Sequence, residues 1–325
     1  MKVVVTGGAG FIGSHLVDAM VNAGHAVHVL DNLSTGSLAN LGHISSKIEF
    51  HECDLSIPGN WEDVFKEVDW VFHLAALADI VPSIQNPRAY FESNVDGTFN
   101  VLQASRRANV GRFIYAASSS CYGIPEIYPT PESSPLDPKY PYALTKKMGE
   151  DLVMHWAKIY KLPAISLRFF NVYGTRSRTA GTYGAVLGVF LAQKLAGRPF
   201  TVVGDGAQRR DFTYVTDVVS AIVTAASSAR VGEIYNVGSG EAVSVNALVG
   251  LLGGDIDYID KRPGEPDLTF ADIVKIRNEL NWMPSIPIEE GIRRVLEDIE
   301  YWRAAPVWTP ESIKEATVDW FKYLK

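Results

Sequence analysis

Two cysteines, Cys53 and Cys121, in 325 residues are too few and too far apart for a disulfide framework or a cysteine-based zinc cluster. Both are expected as reduced thiols, and Cys121 as a small buried filler, because no histidine stands beside it to activate it. No metal site is expected. Long apolar runs are also missing: none approaches the roughly 20 residues that span a bilayer, and a strand pattern begins at Lys2, which leaves no room for a signal peptide. The expected address is cytoplasmic, with no membrane partner. Cationic runs are scarce too. The arginine pairs at 106–107 and 209–210 stand alone in a chain of formal net charge −7, so no nucleic-acid footprint is visible. There is no internal repeat and no low-complexity tract. With 47% hydrophobic and 21% charged residues, the composition is that of a globular protein with one large domain or two unequal ones.

The first half alternates short β-rich runs with stretches of helical period. KVVVT (2–6), AVHVL (26–30), KIEFHE (47–52), WVFHLAA (70–76), RFIYAAS (112–118) and AISLRFF (164–170) read as strands, and 11–23, 89–108 and 142–160 as helices. Mostly apolar strands separated by helices predict an α/β fold, a doubly wound parallel (Rossmann) sheet covered on both faces. After Asn171 the pattern loosens. GTRSRTAGTYGAV reads as a loop, 186–196 as a helix, RRDFTYVTDVVSAIVTAA as a strand edge leading into a helix, and EIYNVGS as a further strand. The expected division is a cofactor domain over 1–172, with about 211–239 returning to the sheet, and a smaller discontinuous substrate domain from 173–210 and 240–325. Near the C-terminus, Ile313, Ala316, Thr317, Trp320 and Leu324 form one apolar stripe at helical spacing, expected to pack against the body rather than to bind a partner.

The sequence VTGGAGFIGSHL places Gly7, Gly10 and Gly13 between the first strand and the first helix. Glycines there permit a tight turn, close backbone approach to a pyrophosphate and close packing of helix on sheet, with the helix N-terminus facing the negative charge. The next strand ends at Asp31, 18 residues after Gly13. A carboxylate there can accept both hydroxyls of an adenosine ribose and repels a 2′-phosphate, so NAD is expected over NADP. Asp54, ending the third strand, is placed either to reach the adenine amino group or to cap the following turn. Ala75 and Ala76 offer small side chains where the cofactor would cross the sheet, and tight packing alone would also explain them.

YPYALTKK carries Tyr142 and Lys146 at i and i+4, one helical face, with Pro141 suited to the first turn. A free phenol, with a pKa of about 10, is a poor base at neutral pH. A neighbouring ammonium and an oxidised nicotinamide ring favour the phenolate, which makes Tyr142 a usable general base, while Lys146 can also hold the nicotinamide ribose. AASSSCYG puts Ser118 at the C-terminal end of the fifth strand, the edge where ligands of such sheets bind, and its hydroxyl can relay a proton.

With TGGAGFIGSH, DNLS, HLAA, NVDGT, SSSCYG, YALTK, RFFNVYG, GDGAQRRDFTYVTDVV and YNVGSG, the chain resembles the extended short-chain dehydrogenases/reductases over essentially its whole length. Within them it resembles nucleotide-sugar 4-epimerases of the UDP-glucose 4-epimerase type. The resemblance implies NAD held by Gly7, Gly10, Phe11, Ile12, Asp31, Asn32, Asp54, Leu55, Asn94, Lys146 and Phe169, and a catalytic pair in Ser118 and Tyr142. Asn171, Arg210 and Arg262 match positions that hold the sugar nucleotide, the arginines through its diphosphate. Family members dimerise through the helices at about 89–108 and 141–160, so a homodimer is implied. Three positions depart from the family pattern: Ala78 stands where a lysine is frequent, Val203 where an aromatic flanks the base, and Glu265, also expected at the substrate, where an aspartate is usual. Thr269 falls where a bulky tyrosine in some members narrows the pocket beside the sugar C2 substituent.

The expected reaction is C4 epimerisation of a nucleotide sugar by transient oxidation. A 4,6-dehydratase would begin the same way but needs an acid and a base, supplied in that branch by an Asp-Glu pair, where this chain has Ser119 and Ser120. Sugar-nucleotide decarboxylases share the fold. A non-catalytic NAD-binding module would need only the glycine turn and Asp31.

Overall fold

A computed structural model describes residues 1–177 and 186–324; residues 178–185 of the expected loop lie outside the described residues. Seven strands form the main sheet: β1 (Lys2–Thr6), β2 (Ala26–Asp31), β3 (Ile48–Glu52), β4 (Trp70–His73), β5 (Arg112–Ser118), β6 (Ala164–Phe169) and β7 (Glu233–Val237). Their order is β7-β6-β5-β4-β1-β2-β3, and every pairing is parallel. The chain starts near the middle and winds outward both ways, so the switch in direction falls beside β1, above the glycine turn. This is the doubly wound α/β sheet expected from the sequence.

The helices α1 (Phe11–Asn22), α2 (Gly97–Ala108), α3 (Pro141–Tyr160) and α4 (Val215–Ser227) cover it. Leu16, Val17 and Met20 of α1 and Val218, Ile222 and Ala225 of α4 pack with Val3, Val5, Val27 and Val29 on one face. Val101 and Leu102 of α2 and Val153 and Trp156 of α3 pack with Val4, Leu30, Val71 and Phe113 on the other. Alternate residues of each strand thus serve opposite cores, which is why the strands read as nearly continuous apolar runs.

Two boundaries differ from the periodicity. The expected helix over 89–108 is broken into Pro87–Phe91, a π-helical turn Glu92–Asp96 and α2. That turn brings in Asn94, 1% exposed, whose amide bonds the backbone N–H and C=O of Leu77 and the hydroxyl of Thr145. The run 70–76 is a strand only to His73; residues 74–76 turn away beneath the glycine loop.

A second core lies beside the sheet. Leu187, Phe190 and Leu191 of a helix over Val186–Leu195 pack with Phe200, Phe212, Leu248, Val249, Ile292, Trp302 and Ile313. Phe212–Tyr214 pairs in parallel with Asn171–Tyr173 rather than joining the main sheet, and of the segment expected to return only β7 does so as a strand. The C-terminal stripe is two short helices, Pro310–Ala316 and Val318–Tyr323, divided at Thr317, with Ile313, Thr317 and Trp320 buried as expected. No helix among the described residues is long and apolar enough to cross a membrane.

Candidate active site

Two clefts open at the C-terminal edge of the sheet. The first, of about 350 Å3, is lined by the glycine turn, the ends of β2 to β4, and Ala305, Pro306 and Trp308. Gly7 has a φ of +68°, and a Cβ built on it would stand 2.7 Å from the Ala75 backbone nitrogen. A Cβ on Gly13 would stand 2.1 Å from the carbonyl oxygen of Gly7. Neither position tolerates a side chain, and the backbone is thereby free to lie against a ligand. Gly10 caps α1 without any side-chain hydrogen bond, so the first N–H groups of the helix are left for an anion.

Asp31 ends β2 in this cleft. Its carboxylate accepts from the backbone N–H of Ala9 (2.9 Å) and of Leu33 (2.8 Å), and burial raises its pKa against the opposing pull of those bonds. Asn32, exposed, accepts from Ser34 N–H. Asp54 closes the following turn, its Oδ1 accepting from Ser56 N–H and Oγ, and the residue also lines the cleft. Phe11, Ile12, Leu55 and Ala75 line it too. Asn94 does not; its amide holds the turn after β4 in place. Among the described lining residues there is no lysine or arginine. A cleft with a glycine cradle, an uncapped helix N-terminus, a terminal carboxylate and no cation fits NAD and leaves a 2′-phosphate without a partner.

The second cleft, of about 360 Å3, meets the first at Ala78 and is lined by Ser118, Ser119, Ser120, Tyr140, Tyr142, Phe169, Asn171, Val203, Thr269 and Trp320 among others. Among the described residues its charged lining is Lys139, Arg210, Arg262 and Glu265. Arg210 Nη2 donates to Glu265 Oε1 at 3.0 Å, and Arg262 Nη1 stands 3.8 Å from Oε2 with its guanidinium 5.7 Å from the centre of the Trp320 ring. Two buried guanidiniums turned toward one carboxylate at a cleft are the donor type that suits a diphosphate.

Between the clefts lies a run of hydroxyls. Ser118 Oγ is 2.8 Å from Ser120 Oγ and accepts from Ser120 N–H; Tyr142 is hydrogen-bonded to Ser118, and Tyr140 to Ser120. The Tyr140 and Tyr142 rings stack at 6.4 Å with 9° between their planes. Part of the Tyr142 ring opens on the cleft, but its hydroxyl end is desolvated, which pushes the pKa up to about 12 despite the Ser118 bond. In the protein alone desolvation prevails; the expected help of the ammonium and the nicotinamide ring to the phenolate concerns the NAD-bound site. Lys146 is 4% exposed with Nζ 4.4 Å from the centre of the Tyr115 ring, and burial lowers its pKa to about 8.

The frame behind these groups is rigid. Glu150, two turns beyond Tyr142 on α3, takes a double hydrogen bond from Arg168 of β6 (2.6 and 3.0 Å) and a third from Ser166 (2.8 Å), and both charged residues are buried. Breaking such a pair leaves a buried charge uncompensated, at a cost of about 3–5 kcal/mol. His73 Nδ1 is 2.7 Å from Thr6 Oγ1 and Nε2 2.9 Å from Thr98 Oγ1, which ties β1, β4 and α2 together; burial, then Lys146, lowers its pKa to about 3.

Sequence reasoning missed Tyr140, Trp308 and the part of Trp320 in the cleft. Tyr140 lies two residues before Tyr142 in extended backbone, so strand-like alternation could have placed both rings on one side. Nothing in the run 303–308 signals a cofactor cleft.

A doubly wound sheet with a dinucleotide cleft and a Ser-Tyr-Lys set defines a nicotinamide-dependent protein acting on an anionic substrate. The model of the NAD dependent epimerase/dehydratase family matches residues 3–238, and the chain belongs to that family. UDP-glucose 4-epimerase of Mycolicibacterium smegmatis is 36% identical over 309 residues, 91% of this chain and 98% of that protein. The crystal structure of UDP-glucose 4-epimerase from Thermotoga maritima with UDP-glucose superposes with a TM-score of 0.87 at 33% identity, covering 93% of this chain and 99% of that one. A dTDP-glucose 4,6-dehydratase from Streptomyces venezuelae with NAD bound gives 0.86 at 29% identity, over 93% and 99%. The family is one of NAD-dependent nucleotide-sugar enzymes, and the relatives divide among several substrates and outcomes.

Proposed function

We propose that the protein is a nucleotide-sugar 4-epimerase of the UDP-glucose/UDP-galactose type. The observation that carries this reading is the joining of a cation-free dinucleotide cleft to an arginine-bearing cleft, with the Ser118–Tyr142 hydroxyls on the sugar side. Gly7, Gly10, Phe11, Ile12, Gly13, Asp31, Asn32, Asp54, Leu55, Ala75, Lys146 and Phe169 are assigned to NAD, with Asn94 supporting them from behind. NAD, when bound, supplies the hydride acceptor and donor for C4 and a positive charge beside the phenol.

Tyr142 takes the proton of the sugar 4-hydroxyl through or beside Ser118 and later returns it to the same oxygen. Lys146 holds positive charge under the site and favours the phenolate once the ring is enclosed. Arg210 and Arg262 keep the diphosphate anchored while the 4-keto sugar turns over, and Asn171 and Glu265 fix the arginines and the sugar edge. The expected address remains the cytoplasm, the cofactor domain 1–172 with 211–239, and the substrate domain 173–210 with 240–325. Phe91, Phe99, Leu144, Ile159 and Tyr160 are exposed apolar side chains on or beside α2 and α3, which supports a homodimer through these helices.

A specific observation disfavours the dehydratase. Ser119 and Ser120 occupy the positions after Ser118, and Glu265, the one carboxylate among the described residues of the sugar cleft, is engaged with two arginines. Among the described residues of that cleft no further carboxylate stands ready as the acid or base of an elimination. The test follows the C4 hydrogen. UDP-glucose deuterated at C4 is expected to give an epimer that keeps its deuterium, and reaction in D2O to place none on carbon. Solvent deuterium at C5 would show dehydration, deuterium at C3 or C5 with an altered configuration there would show another epimerase, and absence of turnover across UDP-, dTDP-, GDP- and CDP-sugars would leave a binding module.

A further inference from the structure

We propose that His28, Glu49 and His51 form a binding site for a divalent transition-metal ion, with zinc as the type, on the edge of the main sheet. None of the three lines either cleft. β3 is the edge strand and runs parallel to β2 with His28 opposite Glu49 and Leu30 opposite His51. Alternation along a strand puts Glu49 and His51 on one face, and the register brings His28 to that face between them.

Two of the three ligand-atom separations are those of ligands around a small cation. His28 Nδ1 is 3.2 Å from His51 Nε2 and 3.3 Å from Glu49 Oε2, and all three ligand atoms lie within 4.8 Å of one another. A tetrahedron with metal–ligand bonds of about 2.0–2.1 Å has edges of roughly 3.3 Å. The proton count points the same way. A neutral imidazole carries one N–H, so His28 Nδ1 can serve His51 or Glu49 but not both, and a cation at the centre satisfies all three lone pairs. Two imidazole nitrogens and one carboxylate suit zinc, nickel, cobalt or copper, not magnesium or calcium, and leave a fourth position for water. A Cys-poor sequence argues against a cysteine cluster, but it says nothing about imidazoles that meet only across two strands.

Such an ion would clip the edge strand to its neighbour, and these two strands end in Asp31 and, just beyond β3, Asp54. The test uses the full chain, stripped with a chelator, and titration with ZnCl2 or MgCl2 followed by calorimetry and thermal unfolding. Wild type is expected to bind about one equivalent of zinc and to unfold at a higher temperature with it, with no response to magnesium. His51→Gln should lose the equivalent while keeping turnover. Glu49→Gln, at an exposed position, should bind about tenfold more weakly. His43→Gln, which removes the separate His43–Asp18 pair (2.7 Å), should behave as wild type. No saturable zinc binding, or equal binding by wild type, His51→Gln and Glu49→Gln, would overturn the proposal.

Discussion

The two clefts are suited to the same chemical feature, a diphosphate, by opposite means. The cofactor cleft has no cationic side chain among its described residues and presents backbone N–H groups at an uncapped helix start, with carboxylates at its far end. The sugar cleft has arginines, partly neutralised by Glu265. A helix N-terminus gives a fixed field and needs close backbone approach, so its signature is glycine at short spacing within one continuous stretch. Guanidiniums reach from a distance, so Arg210 and Arg262 can come from segments 52 residues apart in sequence and still share one carboxylate.

If the clefts are separable in this way, damage at their seam should abolish chemistry without touching cofactor binding. Tyr142→Phe is expected to lower turnover by about 10^2- to 10^4-fold, the usual contribution of a general base, with NAD affinity unchanged. Turnover within about twofold of wild type would remove Tyr142 from the mechanism and the comparison with it. Lys146→Met tests the seam through stability. In the fold Lys146 titrates at about 8, against 10.5 for a free lysine. Below pH 8 it is charged folded and unfolded, and the burial penalty is complete. Between the two values the unfolded chain holds a proton that the folded one has released, so stability rises with pH there. Without NAD, Lys146→Met should therefore be more stable than wild type at pH 7, by up to about 3 kcal/mol less the lost contact with Tyr115, and the advantage should vanish toward pH 10.5. Equal stability in denaturant at pH 7 would refute this.

The same contrast explains what could be read from the sequence. β1, the glycine turn, α1 and Asp31 are one continuous stretch in which each residue type has a local reason, and strand and helix periods give the sheet. Ser118, Tyr142 and Lys146 were legible because each sits at a strand end or on one helical turn. The sugar cleft draws on residues near 80, 120, 140, 170, 190, 210, 265 and 320, and no period spans such separations. Arg210, Arg262 and Glu265 were placed by family resemblance, not by spacing. Trp308 passed unnoticed because an aromatic residue in a loop carries no local sign of the surface it meets, whereas Tyr140 had only its alternation with Tyr142 to mark it. The raised Tyr142 pKa of the protein alone has no sign in the sequence for a similar reason: desolvation depends on everything packed around a group, and sequence shows only its neighbours along the helix.

Asp31→Asn bears on the cofactor side of the contrast, with a smaller effect. Asparagine can keep one backbone bond of the two that Asp31 accepts, but it removes the charge that would meet a ribose hydroxyl or repel a 2′-phosphate. Loss of a charged hydrogen bond should weaken NAD roughly 10- to 100-fold and narrow the gap to NADP. Titration of both cofactors into stripped protein measures it; an unchanged NAD affinity would make Asp31 a turn residue only.

The mildest expected change is at Thr269, and it concerns the sugar rather than its diphosphate. Thr269 lines the sugar cleft, where Oγ1 donates to Asn171 Oδ1 (2.8 Å) and accepts from Asp211 N–H (3.3 Å). Its side chain is thus turned toward the wall, and the space a larger residue would fill stays in the cleft. Asp211 holds the surrounding loops together through the N–H groups of Ser239, Gly240 and Ala271, so that space does not depend on Thr269 alone. UDP-N-acetylglucosamine is accordingly expected to turn over alongside UDP-glucose in wild type. Thr269→Tyr should shift the ratio of kcat/KM by about tenfold toward the plain hexose, because a ring at that position occupies the volume of an N-acetyl group and gives up the bond to Asn171. If the variant and wild type show the same ratio, the C2 substituent lies elsewhere, and the orientation of the sugar over Tyr142 must be redrawn.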